Sequence, residues 1–185
     1  MNEEKQILFE KDEIGKTISR MTHEIVEKTK SPEDLVLIGI RSRGVYLARR
    51  IARKVHEFST ITPPVASIDV TPYRDDRAYD TDVRAVKAFD VQLAVDDKTV
   101  VLIDDVIFRG RTIRAAMDAV ERLGQPKRIL VAALIDRGSR ELPIRADVVG
   151  KNIGAREDER VNVMLEESDG VDQVTMTRWQ ARRII

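Results

Sequence analysis

Residues 100–116, VVLIDDVIFRGRTIRAA, place two adjacent carboxylates, Asp104 and Asp105, five residues ahead of a short basic turn, Arg109-Gly110-Arg111-Thr112. Paired carboxylates can accept hydrogen bonds from a sugar diol. A glycine lets backbone approach a ligand closely, and the unpartnered N–H groups at a helix start favour an anion, with arginines adding charge. The chemistry is therefore that of a phosphorylated sugar. A strand must carry the acids and a helix must open behind the turn. Val100 to Ile103 form a β-branched apolar run suited to a strand buried on both faces of a parallel sheet. Successive strand side chains alternate in direction, so the pattern predicts that the strand stops where Asp104 and Asp105 begin. Ile113, Ala116, Met117 and Val120 then mark an amphipathic helix with Thr112 as its expected N-cap.

An apolar strand ending in two aspartates also occurs in P-loop proteins, but the chain contains neither G-x-x-x-x-G-K-[ST] nor G-x-G-x-x-G. The stretch instead resembles the motif by which type I phosphoribosyltransferases bind 5-phosphoribosyl 1-diphosphate (PRPP): an apolar strand, Asp-Asp, hydrophobics, then Thr-Gly-Arg-Thr. Arg109 is a departure, since that family usually has a small hydroxyl residue there. Its side chain could add a phosphate contact or fill the pocket.

Length and composition agree with one domain spanning 1–185, with an aliphatic core and a well-solvated surface: 35% of residues are charged and 4% aromatic. Lys plus Arg and Asp plus Glu both number 32, so any nucleic-acid binding must be local. The absence of cysteine excludes disulfides and thiolate metal sites. No signal peptide or membrane span is evident, and a cytoplasmic protein is expected.

In chain order, Ile14, Ile18, Met21 and Ile25 predict a helix over 10–29, with Lys16, Arg20 and His23 off the apolar stripe. Residues 35–40, LVLIGI, read as a buried strand, followed by the turn Arg41-Ser42-Arg43-Gly44 and a helix over 45–58. Six basic residues and no acidic one fall between positions 41 and 54. Either this is a solvated face, or the turn offers amides and charge to a diphosphate, which is the role its position implies in the family. Residues 65–71 are a third strand candidate. The hydrophobic pattern then fails over 73–88, beginning Tyr73-Arg74-Asp75-Asp76-Arg77, a length expected of a lid; the family's equivalent loop closes over PRPP, with Arg74 or Arg77 reaching the diphosphate. Residues 128–135 predict a further buried strand ending in Asp136-Arg137-Gly138. Three polar turns thus follow three strands, the edge where doubly wound sheets bind ligands. The 161–165 and 171–179 stretches suggest an antiparallel hairpin near one sheet edge.

The 137–151 stretch, RGSRELPIRADVVGK, narrows the resemblance to the family of bifunctional pyrimidine operon regulators and uracil phosphoribosyltransferases, whose hallmark is Asp-Arg-Gly-His-Arg-Glu-Leu-Pro-Ile-Arg-Ala-Asp followed by Gly-Lys-Asn. Ser139 stands in place of the histidine, and 154–159 departs from a Pro-Thr-Ser-rich segment. The resemblance implies the type I phosphoribosyltransferase fold: α/β, a doubly wound, mainly parallel sheet with helices on both faces, a flexible lid loop and a small hood. It implies UMP and diphosphate made from uracil and PRPP with Mg2+, which would be held through the diphosphate, and a homo-oligomer. Catalytic positions would be Asp104, Asp105, Asp136 and Arg137. PRPP would lie on Arg41, Ser42, Arg43, Asp104, Asp105, Arg109, Gly110, Arg111, Thr112 and Arg74. Pyrimidine operon leader RNA, sensed together with UMP or UTP, would meet Ser19, Arg20, His23, Arg140, Arg145 and Lys151. Three alternatives stand beside this: a regulator with little or no catalysis, a phosphoribosyltransferase for another base with no RNA role, and pairing of Arg140 and Arg145 with Glu141 and Asp147.

Overall fold

The computed structural model describes residues 3–70, 93–156 and 158–179. Five strands, β2 (Leu35–Ile40), β3 (Val65–Ile68), β4 (Thr99–Ile107), β5 (Arg128–Asp136) and β6 (Val148–Asn152), form a parallel sheet in the order β3-β2-β4-β5-β6. Because the central strands β2, β4 and β5 are buried on both faces, their residues alternate between two cores. Leu35, Leu37, Val101, Ile103, Leu130 and Ala132 join the core beneath α1 (Lys11–Thr29) and α2 (Arg43–Ser59). Val36, Ile38, Val100, Leu102, Val131 and Ala133 join the core beneath α3 (Arg111–Glu121). The helices therefore lie on both faces, as expected of a doubly wound sheet.

A second sheet of three strands has the order β1-β8-β7, from β1 (Glu3–Glu10), β7 (Glu159–Met164) and β8 (Gln173–Trp179). β7 and β8 pair antiparallel, as the sequence pattern suggests, with a short helix, α4 (Glu166–Asp169), between them. The hairpin is not a margin of the main sheet, however: β8 takes β1 as its other neighbour. β1 has no strand signature because its apolar residues, Ile7, Leu8 and Phe9, are consecutive and its register shifts between Ile7 and Phe9. Ile7 is 50% exposed, so burial does not write an alternating pattern there.

The helix over 11–29, the strand over 35–40 and the strand beginning at Arg128 fall where the pattern puts them, within a residue or so. β3 ends at Ile68, and the 71–88 portion of the expected strand and lid, including Arg74 and Arg77, lies outside the described residues. The edge strand β6 was not foreseen, because Val148–Asn152 has two apolar residues followed by Gly-Lys-Asn. No described helix is long and apolar enough to cross a membrane.

Candidate active site

β4 does not stop at Ile103. Its pairing with β2 does, ending at Gly39 opposite Ile103, while pairing with β5 continues to Ile107 opposite Asp136. Residues 104–107 therefore extend past β2 with one flank open, and the two carboxylates sit inside a strand rather than after it. Their opposed directions follow: Asp104 is 6% exposed and Asp105 half-buried. The Asp105 amide donates to Asp104 Oδ1 at 2.9 Å. Burial, and then the neighbouring Asp105 charge, push the Asp104 carboxyl well above the usual aspartate range.

The order β3-β2-β4 makes the junction of β2 and β4 the point where the chain reverses its progress across the sheet, the crevice in which such sheets bind ligands. Two turns meet there. The first leads from β2 into α2, whose N-terminus rests on β4 at Gly44. A Cβ at Gly44 would run into the Ile103 carbonyl oxygen and lie 3.3 Å from Asp104 Cα, so glycine is what lets the turn sit against the carboxylates. The Arg41–Ser42 peptide bond is cis. Arg41 donates through Nε to Ser67 Oγ at 3.3 Å, and Ser42 is exposed. Arg43 forms a two-pronged pair with Asp169 of α4, at 3.1 and 2.8 Å. That pairing, and to a smaller degree the charge of Asp105, raises the Arg43 pKa.

The second turn leads from β4 into α3, and a cavity of about 220 Å³ is lined by residues 106–113 with Asp104. The N-cap is Gly110, at φ 92°, rather than Thr112, and no side chain caps the helix. Left-handed backbone favours glycine here, and Thr112 falls within the first turn. The first helical amides are thus left for an anion. Arg109 and Arg111 do not stand free beside them: Glu141 takes Arg109 Nε at 3.1 Å on one carboxylate oxygen and Arg111 Nε at 2.7 Å on the other.

At the end of β5, Asp136 and Arg137 come to the same edge. Arg137 donates through Nη2 to the carbonyls of Arg156 and Glu159, both at 2.8 Å, tying β5 to the start of β7. Its guanidinium lies 3.9 Å from the Phe108 ring centroid, and its Nε is the single buried side-chain polar atom without a hydrogen-bond partner among the described residues. Burial first, then the charge of Arg109, lowers the Arg137 pKa. Asp136 takes Arg140 Nη2 at 2.6 Å and the Gly138 amide at 2.8 Å.

The residues expected to meet RNA divide. Ser19, Arg20 and His23 lie on α1. Arg20 Nη2 reaches the Val149 and Gly150 carbonyls of β6 at 2.7 Å, and Lys151 pairs with Glu13 at 3.1 Å, so these cations share the α1–β6 margin. Ser19 Oγ donates to the Gly15 carbonyl at 3.0 Å. His23 stacks on Phe58 with ring centroids 5.1 Å apart. Arg140 and Arg145 belong to the 137–147 connection, whose Ile144 and Ala146 pack into the core on the other sheet face. α1 and the 137–147 connection thus pack on opposite faces of the sheet. Arg145 is exposed. Arg140 is not: it is held by Ile144, Phe108 and Gly138 carbonyls at 2.8, 2.7 and 3.1 Å as well as by Asp136. The alternative pairing with Glu141 and Asp147 fails for a geometric reason, since Glu141 faces the arginine turn and Asp147 accepts from the Val131 amide at 2.9 Å. Glu141, Phe108 and Asp169 are site residues that sequence reasoning missed. Asp169 is 126 positions from Arg43, a separation no spacing pattern reports.

Residues 6–164 match the family model for the phosphoribosyl transferase domain. The chain is 51% identical over 181 residues to the Bifunctional protein PyrR of Chloroflexus aurantiacus, covering 98% of this chain and 99% of the relative. It is 52% identical over 170 residues to the protein of the same name from a Thermoanaerobacter species, covering 92% and 96%. Among solved structures, the hypoxanthine phosphoribosyltransferase of Trypanosoma cruzi superposes with a TM-score of 0.72 at 18% identity, covering 95% of this chain and 97% of that one. A hypoxanthine phosphoribosyltransferase from Staphylococcus aureus gives 0.71 at 16% identity, covering 94% and 92%. The fold is theirs, and the chain belongs to the phosphoribosyltransferase family, among proteins named PyrR.

Proposed function

We propose that the chain transfers the phosphoribosyl group of PRPP to uracil, giving UMP and diphosphate, and that it also regulates a pyrimidine biosynthetic operon by binding its leader RNA in response to UMP or UTP. One observation carries the enzymatic half: the turn after β2, the acids within β4 and the basic turn after it meet at the switch point of the sheet, with the α2 N-terminus seated on β4 at Gly44.

In this reading the α3 amides with Arg109, Gly110, Arg111 and Thr112 hold the 5′-phosphate, and Asp104 and Asp105 hold the ribose hydroxyls. Arg41, Ser42 and the Arg43 backbone face the diphosphate. Fixing both ends of the sugar leaves C1 as the part free to move, and a uracil nitrogen forms its bond to C1 as the bond to the diphosphate oxygen breaks. Positive charge that develops on the ribose is stabilised by the neighbouring carboxylates, and the leaving diphosphate by the arginine turn. Phosphoribosyltransferases use Mg2+ with PRPP. Such a hard divalent cation would be held mainly through the diphosphate, with Asp104 and Asp105 as the nearby oxygen donors, and would neutralise charge on the leaving group. Arg137 is a positioning residue, since its donors hold the start of the hood strand β7 against the end of β5.

The regulatory half rests on the relatives' name and on the α1–β6 margin, where Arg20, His23 and Lys151, with Arg145 on the 137–147 connection, supply charge and stacking surface. A regulator with little turnover is the second reading, favoured by the salt-bridged Arg109 in the phosphate turn.

UMP formation from uracil, PRPP and Mg2+ separates the two, comparing the protein with Arg109→Thr. Turnover by the unaltered protein supports the first. No turnover until Arg109 is replaced supports the second. Lys151→Ala and Arg145→Ala are expected to weaken binding of the leader stem-loop in a gel-shift assay and leave UMP synthesis intact.

A further inference from the structure

We propose that Glu141 is an internal competitor for the 5′-phosphate, a carboxylate that holds the arginines of the α3 turn until a phosphate displaces it. This rests on the assignment of that turn to the phosphate, made above. The carboxylate already occupies an anion's place, one oxygen on Arg109 and the other on Arg111, at 3.1 and 2.7 Å. It is delivered there by backbone: the Glu141 and Leu142 amides both donate to the Arg109 carbonyl, at 3.1 and 3.2 Å. The same loop lies over the turn, with the Leu142 and Ile144 Cβ atoms 3.5 Å from where a Gly110 Cβ would stand.

The loop does not depend on the carboxylate for its shape. Arg140 fixes it through three carbonyls and Asp136. Glu141's side chain is 38% exposed, and no other donor holds its carboxylate among the described residues. It can therefore swing out while the loop stays. A phosphate monoester brings more charge and a third acceptor oxygen, and it also engages the helix amides, which a side chain approaching from across the loop cannot. A dianion therefore displaces the glutamate, whereas a nucleoside lacking the phosphate leaves it in place.

The test is calorimetric titration of the protein and Glu141→Gln with UMP and with uridine, together with steady-state kinetics in PRPP. The glutamine keeps the shape and removes the competing charge. UMP is expected to bind about tenfold more tightly to Glu141→Gln, a gain of the size two partly exposed arginine pairs supply. Uridine affinity is expected to stay the same, and the gain to appear in KM for PRPP rather than in kcat. Adding Arg109→Thr is expected to shrink the gain, because one of the two pairs is then already lost. Glu141→Asp, which retains charge on a shorter arm, should give an intermediate value. Equal or weaker UMP binding by Glu141→Gln, with both proteins binding UMP, overturns the competitor and leaves the phosphate site standing. If neither protein binds UMP or PRPP, the assignment of the turn itself is wrong, and the competitor falls with it.

Discussion

Two arginine turns face each other across the crevice, and each meets a carboxylate from a distant part of the chain. The resemblance ends there. Asp169 is gripped from several sides: Arg43 holds both oxygens, the Leu165 amide donates at 2.9 Å and Ser168 Oγ at 2.7 Å. These contacts, Arg43's first, keep its carboxyl well below the usual aspartate range. Glu141 has only the two arginines among the described residues, with its side chain 38% exposed. The same drawing of a salt bridge thus covers a fastening that joins α2 to α4 and an occupant that can leave. What separates them is not the ion-pair distance but the number of independent donors on the acid.

Both turns depend on α2 lying against β4, so the comparison breaks most completely at Gly44. Gly44→Ala forces a methyl into the Ile103 carbonyl, and backbone cannot step aside as a long side chain can. Stability is expected to fall by about 3 kcal/mol in urea unfolding, the upper end for overpacking. UMP synthesis by the folded fraction is expected to drop about a hundredfold, since the two turns would no longer share one crevice.

Asp104 gives the next largest effect, of opposite sign on stability. Its carboxyl binds a proton more tightly in the fold than in the unfolded chain, because burial and Asp105 oppose its charge. The native state therefore holds more protons, and stability declines as pH rises above the ordinary aspartate range. Asp104→Asn keeps an oxygen for the Asp105 amide and removes the titration. It is expected to stabilise the protein by about 1 kcal/mol at neutral pH and to flatten the pH profile between acid and neutral, measured by urea unfolding at several pH values. It should also abolish most UMP synthesis. A variant that gained stability and kept full turnover would remove Asp104 from the ribose site.

Much of this site was legible in the sequence, because its parts are local. Asp104, Asp105 and the glycine turn lie within nine residues, and the strand before them is apolar throughout. The main sheet was legible for the same reason: strands buried on both faces are written as continuous apolar runs. The failures were non-local. β4 reads as ending at Ile103 because its last residues are paired only on the β5 side, which a one-dimensional pattern cannot distinguish from a strand end. Thr112 reads as a cap because threonine usually caps, but Gly110 takes the left-handed conformation and starts the helix earlier. β1, whose partner is β8 at the other end of the chain, leaves no alternation to detect. Glu141 and Asp169 are ordinary surface acids until the fold brings them to the arginines.

The finest test of the difference between the two acids is to neutralise the one that has been called a fastening. Asp169→Asn leaves a side chain that can still accept from the Leu165 amide but weakens the grip on Arg43. Both partners are partly exposed, with side chains 34% and 21% accessible, so solvent screening limits the loss to about 1 kcal/mol at neutral pH. The sign of the pH dependence is opposite to that of Asp104. A carboxyl whose pKa is depressed by folding stabilises above the ordinary aspartate range and loses that contribution as pH falls below it, so the variant and the unaltered protein should converge in acid. UMP affinity should not improve, because Arg43 is held in place by Asp169 rather than blocked by it. If Asp169→Asn tightened UMP or PRPP binding as Glu141→Gln is expected to, both acids would be occupants, and the count of donors on a carboxylate would not tell a fastening from a competitor.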